Sequence, residues 1–158
     1  MTDFTQRSDP PLERWLAHAQ TQPELPADLP AWLQGFASDC REVDIHQYLN
    51  DSARIVPEAD EHGRPPRYSA VLILLSGDTT FSSPAGASGR KAIPADATML
   101  LTHRAPTMRN HSGQVAFPGG RVEEADAGPV ETALREAEEE TGLDPATVEP
   151  FAVLQPIY

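Results

Sequence analysis

The chain has 158 residues, a single cysteine and a formal net charge of −12. This length is enough for one domain with a buried core, and one cysteine excludes an internal disulfide and fits no zinc-binding spacing. The acidic surface repels nucleic acid and anionic lipid, so we expect no nucleic acid and no membrane among its partners.

The sequence also predicts a cytoplasmic location. Residues 1–15 contain three acidic side chains and lack the apolar segment of a signal peptide. The longest apolar run, Ala70–Leu75, is too short to cross a bilayer. A lone cysteine is typical of a reducing compartment. We therefore expect a soluble protein of the cytoplasm.

Residues 1–66 are predicted to form a helical, proline-rich N-terminal extension. A helix is predicted to start at Asp9-Pro10-Pro11, because proline suits the first helical turn and apolar residues follow at helical spacing. Later prolines break this pattern, and two shorter helices are predicted near residues 31–37 and 43–49. Residues 57–67 contain three prolines and a glycine and are predicted to be a linker or long loop.

Residues 67–158 are predicted to form a domain that mixes helix and strand. Runs of β-branched and aliphatic residues predict four strands, at 68–75, 97–102, 114–117 and 148–154. A loop rich in glycine, serine, proline and alanine is predicted over residues 76–95. Strands combined with one strong helix indicate an α/β or α+β fold.

Glycine and proline mark the ends of the central elements. Pro118-Gly119-Gly120 is predicted to stop the third strand in a tight turn that brings backbone groups near a phosphate or metal. A helix is predicted from Gly128-Pro129 to Gly142, because glycine readily adopts the left-handed conformation that ends a helix. The apolar residues of this helix share one face, which is expected to pack on the sheet: Val130, Leu134 and Ala137.

Three glutamates of this helix are candidate metal ligands. Glu136, Glu139 and Glu140 stand at positions i, i+3 and i+4, so they share one helix face. Their mutual repulsion grows as a site is enclosed, and a hard divalent cation such as Mg²⁺ converts it into coordination. An acidic run on a helix is more often a solvated face, so the run alone leaves both interpretations open.

The segment from residue 120 to residue 143 resembles the Nudix box. It has a glycine at 120, an acidic residue at 126 and then the block Arg135-Glu136-Ala137-Glu138-Glu139-Glu140-Thr141-Gly142-Leu143. The resemblance implies that Glu136, Glu139 and Glu140 bind Mg²⁺ or Mn²⁺, with the backbone carbonyl of Gly119 as a further ligand. It also implies that Arg135 positions Glu136 through an ion pair, and that Glu136 alternatively orients or deprotonates the attacking water.

Two departures from that pattern are visible. Asp126 replaces the usual glutamate, and eight residues separate it from Arg135 where seven are usual. The coenzyme A branch of the family shows the same spacing. That branch often has serine or threonine where this chain has Gly128, and a glycine there weakens the helix cap slightly.

The segment from residue 100 to residue 120 resembles the signature of Nudix coenzyme A pyrophosphatases. It reads Leu-Leu-Thr-His-Arg-Ala, then three residues, an arginine, three residues, a glycine, three residues and Phe-Pro-Gly-Gly. The resemblance implies a substrate-binding set taken from the arginine, glycine and phenylalanine positions of this signature: Arg104, Arg109, Gly113, Phe117, Gly119 and Gly120. Guanidinium groups suit bidentate phosphate binding. The alternative is that both arginines are exposed loop residues with no role in binding. Phe117 is expected to be core or pocket wall.

The resemblance implies hydrolysis of the diphosphate of coenzyme A, or of its acyl thioesters, to 3′,5′-ADP and 4′-phosphopantetheine or its acyl form. Two alternatives stay open: a Nudix hydrolase acting on another nucleoside diphosphate derivative such as ADP-ribose, and a catalytically silent Nudix-like protein that binds a ligand or partner. The implied partner is a small-molecule substrate, with a homodimer left open.

The implied fold is a mixed β-sheet flanked by helices, which in this family continues with further strands and a helix beyond residues 148–154. We therefore expect a Nudix domain over residues 67–158 that is incomplete at its C-terminus. Losing strands leaves apolar surface uncovered. The aromatic residues of the N-terminal extension are expected to cover part of that surface: Trp15, Trp32 and Phe36.

Overall fold

The computed structural model describes residues 10–48, 67–82, 92–103 and 113–157. Within these ranges three α-helices combine with short strands, which confirms the predicted mixture of helix and strand. The predicted linker at 57–66 and the centre of the predicted loop, 83–91, lie outside the described residues. In the part of the chain that is described, no helix is long and apolar enough to cross a membrane.

Two α-helices lie within residues 10–48. Helix α1 spans Pro10–Ala19 and helix α2 spans Ala31–Glu42. Helix α2 runs past its predicted end near residue 37, and tertiary contacts hold the added turn. In that turn, Arg41 donates to the backbone carbonyls of Pro23 and Phe151 at 2.7 and 3.0 Å. The third predicted helix is a short 3-10 helix, Ile45–Tyr48.

The strands in the described ranges form three two-stranded antiparallel sheets. Their pairings are β1 Ser69–Val71 with β6 Gly119–Arg121, β2 Leu75–Ser76 with β3 Thr98–Met99, and β4 Thr102–His103 with β5 Val115–Ala116.

Two of the predicted strands are each divided between two partners. The predicted strand 68–75 contains β1 and the start of β2. Its first part pairs with residues 118–122, and the Leu72 N–H donates to the Pro118 carbonyl at 2.8 Å. Its second part pairs with residues 98–100, and the Leu74 carbonyl accepts from the Leu100 N–H at 3.1 Å. The predicted strand 97–102 likewise pairs first with β2 and then with β5.

Two sequence predictions were wrong. Gly119 and Gly120 lie within strand β6 and do not form a tight turn, because the absence of side chains lets β6 lie close to its neighbours. A Cβ on Gly119 would be 2.6 Å from the Cα of Val71. Residues 148–154 form no strand, although they follow a 3-10 helix at Pro145–Thr147. A side chain takes the place of a partner strand there, since the Gln22 amide pairs with both backbone groups of Val153 at 2.8 and 2.9 Å.

Helix α3, Pro129–Thr141, packs against β1, β6 and α1. Ala133 and Ala137 are buried on it, and the small side chains allow the sheet to approach. Trp15 of α1 and Trp32 of α2 are also buried, whereas Phe36 is 42% exposed. Helix α1 and the β1–β6 pair thus pack against the same helix, α3. Several apolar residues in or next to the strands nevertheless remain exposed, namely Val71, Ile73, Met99, Leu101 and Val115.

Candidate active site on helix α3

The ends of helix α3 are set by two glycines, as predicted. Gly142 at the C-terminal end has φ 73°, in the left-handed region, and its N–H donates to the Glu138 carbonyl at 2.8 Å. Gly128 at the N-terminal end offers no capping side chain. The space that a side chain would need is used by α1, because a Cβ on Gly128 would lie 2.6 Å from the Cβ of His18. A glycine at position 128 therefore provides no side-chain cap but allows α1 to lie close to the start of α3.

Asp126 and Arg135 form a bidentate ion pair beneath the acidic face. The Arg135 Nε and Nη2 atoms lie 3.1 Å from the two carboxylate oxygens of Asp126. Asp126 is 5% exposed and also accepts from the Glu123 N–H and the Thr132 hydroxyl, both at 2.9 Å. Three of these donors meet Oδ2 and one meets Oδ1, so both oxygens of this buried carboxylate are bound to groups of the protein. Such a pair holds the guanidinium in a fixed orientation.

The third nitrogen of this guanidinium faces the acidic residues. Arg135 Nη1 lies 3.0 Å from a carboxylate oxygen of Glu136 and 3.4 Å from one of Glu139. The predicted ion pair between Arg135 and Glu136 is present in this geometry. The Nη2 atom additionally donates to the Arg121 carbonyl of β6 at 2.9 Å. Arg135 therefore connects the acidic helix face to the strand beside it.

The outer edge of β6 completes the acidic cluster. Gly119 and Arg121 face Val71 and Ser69 at the positions of the β1–β6 ladder where backbone groups turn away from β1. The Gly119 N–H accordingly donates to the Glu140 carboxylate at 3.3 Å. A Cβ on Gly120 would collide with the Glu136 carboxylate, so a larger residue here would displace the end of that side chain.

The electrostatics follow from these contacts. The Arg135 guanidinium lowers the pKa of Asp126 below its ordinary value, against the opposing effect of burial. Asp126 in turn raises the pKa of Arg135, with a smaller contribution from its hydrogen bond to Glu136. Both groups are therefore charged throughout the physiological pH range.

The donor chemistry of the cluster suits a hard divalent cation. Glu136, Glu139 and Glu140 supply carboxylate oxygens beside the outer edge of β6, and oxygen is the ligand that Mg²⁺ prefers. No group of three His, Cys, Asp or Glu side chains converges on one point among the described residues. Each of the three glutamates has a donor in this structure, namely Arg135 for Glu136 and Glu139 and the Gly119 N–H for Glu140. Binding a cation there requires the outer two carboxylates to turn from these donors.

The remaining predicted site residues lie elsewhere on the same segment. Gly113 has φ 72°, a backbone conformation that other residues rarely adopt, and Phe117 is half-buried, as expected of a wall residue. Arg104 and Arg109 lie outside the described residues. Sequence reasoning missed Thr132 and the contact that Trp15 makes with it, because no local pattern links residues so far apart in the chain.

The chain resembles known proteins over the segment that carries this site. Residues 88–158 match the NUDIX domain family. The matched segment includes strand β6 and helix α3, so the residues of the acidic cluster are similar to those of a Nudix domain.

Two kinds of relative illustrate the similarity. A protein of Klebsiella pneumoniae is 35% identical over 117 residues, which cover 74% of this chain and 53% of the relative. Proteins of two Escherichia coli strains, SMS-3-5 and K12, are 54% and 52% identical over 117 residues, with the same coverage. All three are named "Uncharacterized Nudix hydrolase NudL". The chain spans about half the length of the curated relatives it matches. No solved structure matches the chain.

Proposed function

We propose that this protein is a metal-dependent pyrophosphohydrolase whose substrate is coenzyme A. The observation that carries the proposal is the arrangement around Arg135, which is anchored on buried Asp126 and reaches the carboxylates of Glu136 and Glu139. A solvated acidic face has no need of such an anchor, since surface ion pairs contribute little stability. An anchor of this kind is expected where carboxylates must be held at defined positions.

In the proposed reaction, water attacks one phosphorus of the diphosphate. Mg²⁺ or Mn²⁺ bound at Glu136, Glu139 and Glu140 would neutralise diphosphate charge and activate that water. The side chain of Glu136 is 19% exposed and held by Arg135, so its position suits a ligand or a group that orients the water. The outer edge of β6 carries backbone groups of Gly119 that are free of the β1 ladder, which supports a role for its carbonyl as a further ligand.

The choice of coenzyme A rests on the sequence between residues 100 and 120. Coenzyme A carries a diphosphate and a 3′-phosphate, and a chain with a net charge of −12 needs local cations to hold them. Arg104 and Arg109 are the two arginines of the coenzyme A signature. We infer that they bind phosphate groups, with Gly113, Phe117, Gly119 and Gly120 shaping the same site.

The direct test is hydrolysis of coenzyme A by the full chain with Mg²⁺ or Mn²⁺, with 3′,5′-ADP followed by chromatography. Glu139→Gln and Glu140→Gln each remove one carboxylate charge from the proposed metal face. Glu138→Gln removes the same charge from the same acidic run, but Glu138 is exposed on a different face of α3 and serves as the matched control. We expect a loss of at least about 100-fold in the first two variants and little change in the third.

Other outcomes would overturn parts of the proposal. Equal losses in all three variants would mean that overall charge matters and not the helix face. Turnover of ADP-ribose but not of coenzyme A would keep the pyrophosphohydrolase and reject the substrate. A folded parent chain that hydrolyses neither compound would favour the silent Nudix-like protein.

The arginines are tested by a matched pair of substrates. Dephospho-coenzyme A has the same diphosphate but lacks the 3′-phosphate. If Arg104 or Arg109 binds the 3′-phosphate, its replacement by glutamine should lower kcat/KM for coenzyme A and leave that for the dephospho compound nearly unchanged. A residue that binds the diphosphate should affect both substrates equally, and no effect on either would refute phosphate binding by that arginine.

A further inference from the structure

Trp15 of helix α1 is joined to the acidic site through one buried hydroxyl. Its indole Nε1–H donates to the Thr132 hydroxyl at 2.8 Å, and the two residues are 117 positions apart in the chain. Trp15 is 3% exposed and Thr132 is fully buried. The Thr132 hydroxyl also lies 2.9 Å from the Asp126 carboxylate and 3.1 Å from the Gly128 carbonyl.

The direction of these hydrogen bonds is fixed by chemistry. The indole N–H can only donate, so the Thr132 oxygen accepts from Trp15. The hydroxyl has one proton, and the ionised Asp126 is a stronger acceptor than the neutral Gly128 carbonyl. If that proton pointed to Gly128, the hydroxyl oxygen would face a carboxylate oxygen with no hydrogen between them. The hydrogen bonds therefore run from Trp15 to Thr132 and from Thr132 to Asp126.

Asp126 passes this orientation to the site. Its carboxylate holds the Arg135 guanidinium in a bidentate pair, and Arg135 holds Glu136 and Glu139. A buried hydroxyl with one correct partner on each side has a single favourable orientation, and hydrogen bonds in such a chain strengthen one another. Removing the indole donor leaves the hydroxyl oxygen short of a partner in a site with no access for water.

We propose that Trp15 is a positioning residue for the acidic site, acting through Thr132, Asp126 and Arg135. Helix α1 then has a part in function as well as in covering the core. The metal-binding half of this inference rests on the proposed function, whereas the orientation of Arg135 does not. Two measurements therefore separate the two ideas.

The first measurement is the affinity of the full chain for Mn²⁺, taken from the electron paramagnetic resonance signal of the free ion. The second is the Arg135 Nε–H signal in metal-free protein by nuclear magnetic resonance, assigned by its loss in Arg135→Lys, together with its rate of exchange with solvent. Trp15→Phe keeps an aromatic ring beside Tyr68, whose ring centroid is 5.5 Å from that of Trp15, but removes the N–H donor.

Three further variants complete the set. Trp32→Phe is the matched control, because Trp32 is also buried and its Nε1–H also donates a hydrogen bond, to the Asp78 carbonyl at 3.1 Å, away from the site. Thr132→Val removes the hydroxyl at nearly constant volume, and Thr132→Ser restores it. Circular dichroism verifies that each variant is folded before it is compared.

We expect Trp15→Phe and Thr132→Val to weaken Mn²⁺ binding by about tenfold, as for other groups that orient a metal ligand. Both should also shift the Arg135 Nε–H signal and speed its exchange. The double variant should bind Mn²⁺ no more weakly than Thr132→Val alone, because both changes interrupt the same chain of hydrogen bonds. Thr132→Ser and Trp32→Phe should leave both measurements close to those of the parent.

Unchanged Mn²⁺ affinity and an unchanged Arg135 signal in Trp15→Phe would overturn the inference, as would equal effects in Trp32→Phe. A parent chain that binds no Mn²⁺ would refute the proposed metal site instead. The Arg135 signal would then decide the positioning role by itself: a shift in Trp15→Phe supports it, and no shift rejects it.

Discussion

Asp126 and Glu139 lie on either side of the same arginine, yet their surroundings differ. Asp126 is 5% exposed and accepts hydrogen bonds from four donors. The side chain of Glu139 is 61% exposed and lies 3.4 Å from its one described donor. The first carboxylate is buried and held by donors of the protein on both oxygens, whereas the second is exposed and can exchange its one contact at small cost. Acidic residues around one arginine therefore serve either as scaffold or as candidate ligands, depending on their burial.

The largest expected effect is a loss of stability when the buried carboxylate of Asp126 is changed. Asp126→Asn removes the charge that pairs with Arg135, and breaking a buried pair of this kind costs about 3 kcal/mol of unfolding free energy. Because the folded-state pKa of Asp126 is lowered, its contribution is present above its ordinary pKa of about 3.9 and is lost as the pH falls below that value. Urea unfolding at pH 7 and near pH 3 should therefore show a difference from the parent that shrinks in acid.

The control for this change is Asp78→Asn. Asp78 also has a lowered pKa, which is due to hydrogen bonds from the hydroxyl and N–H of Thr80, but its carboxylate is exposed. Asp78→Asn should lower the free energy of unfolding much less than Asp126→Asn does. A difference between parent and Asp126→Asn that is the same at both pH values would contradict the account.

On the ligand side, a bound cation should stabilise the fold. At 100 times its Kd, Mg²⁺ or Mn²⁺ is expected to raise the unfolding free energy by about 2.7 kcal/mol, because it binds the folded state only. Thermal melting with and without the cation measures this gain. We expect Glu139→Gln and Glu140→Gln to abolish most of the gain and Glu138→Gln to retain it. The same gain in all four proteins would place the cation elsewhere.

The end of helix α3 offers a smaller effect that belongs to the fold alone. Gly142→Ala puts a side chain on a residue with φ 73°, and this strain costs about 1 kcal/mol. Denaturant unfolding measures the loss. Because Gly142 has open space around it, we expect the Mn²⁺ affinity to be unchanged. A large loss of affinity would show that the helix end itself shapes the site.

The smallest effect is expected for Glu139→Gln in the absence of metal. The side chain is largely exposed, so its ion pair with Arg135 contributes no more than about 0.5 kcal/mol. Its removal also relieves repulsion from Glu136 and Glu140. Unfolding in a chelating buffer should give nearly the parent value. A loss close to that of Asp126→Asn would mean that the two carboxylates do not differ as their burial suggests.

The sequence alone determined the elements whose signals are local. Helix α3 was predicted from Gly128-Pro129 to Gly142, and it lies at Pro129–Thr141 with both glycines at its ends. The side-chain period of the helix also placed the three glutamates on one face and Ala137 on the buried face. The start of helix α1 at its proline pair was confirmed for the same reason.

Only the tertiary structure decided which partners these elements have. Residues 148–154 have strand-forming side chains, but a strand needs a partner, and the Gln22 amide occupies the backbone of Val153. Gly119 and Gly120 have the sequence of a turn, but they pair with Val71 and Ala70 of β1, and the Glu136 carboxylate lies against Gly120. The contact of Trp15 with Thr132 joins distant parts of the chain and leaves no periodic trace. Residue spacing records neighbours along the chain, whereas burial and hydrogen bonding depend on neighbours in space.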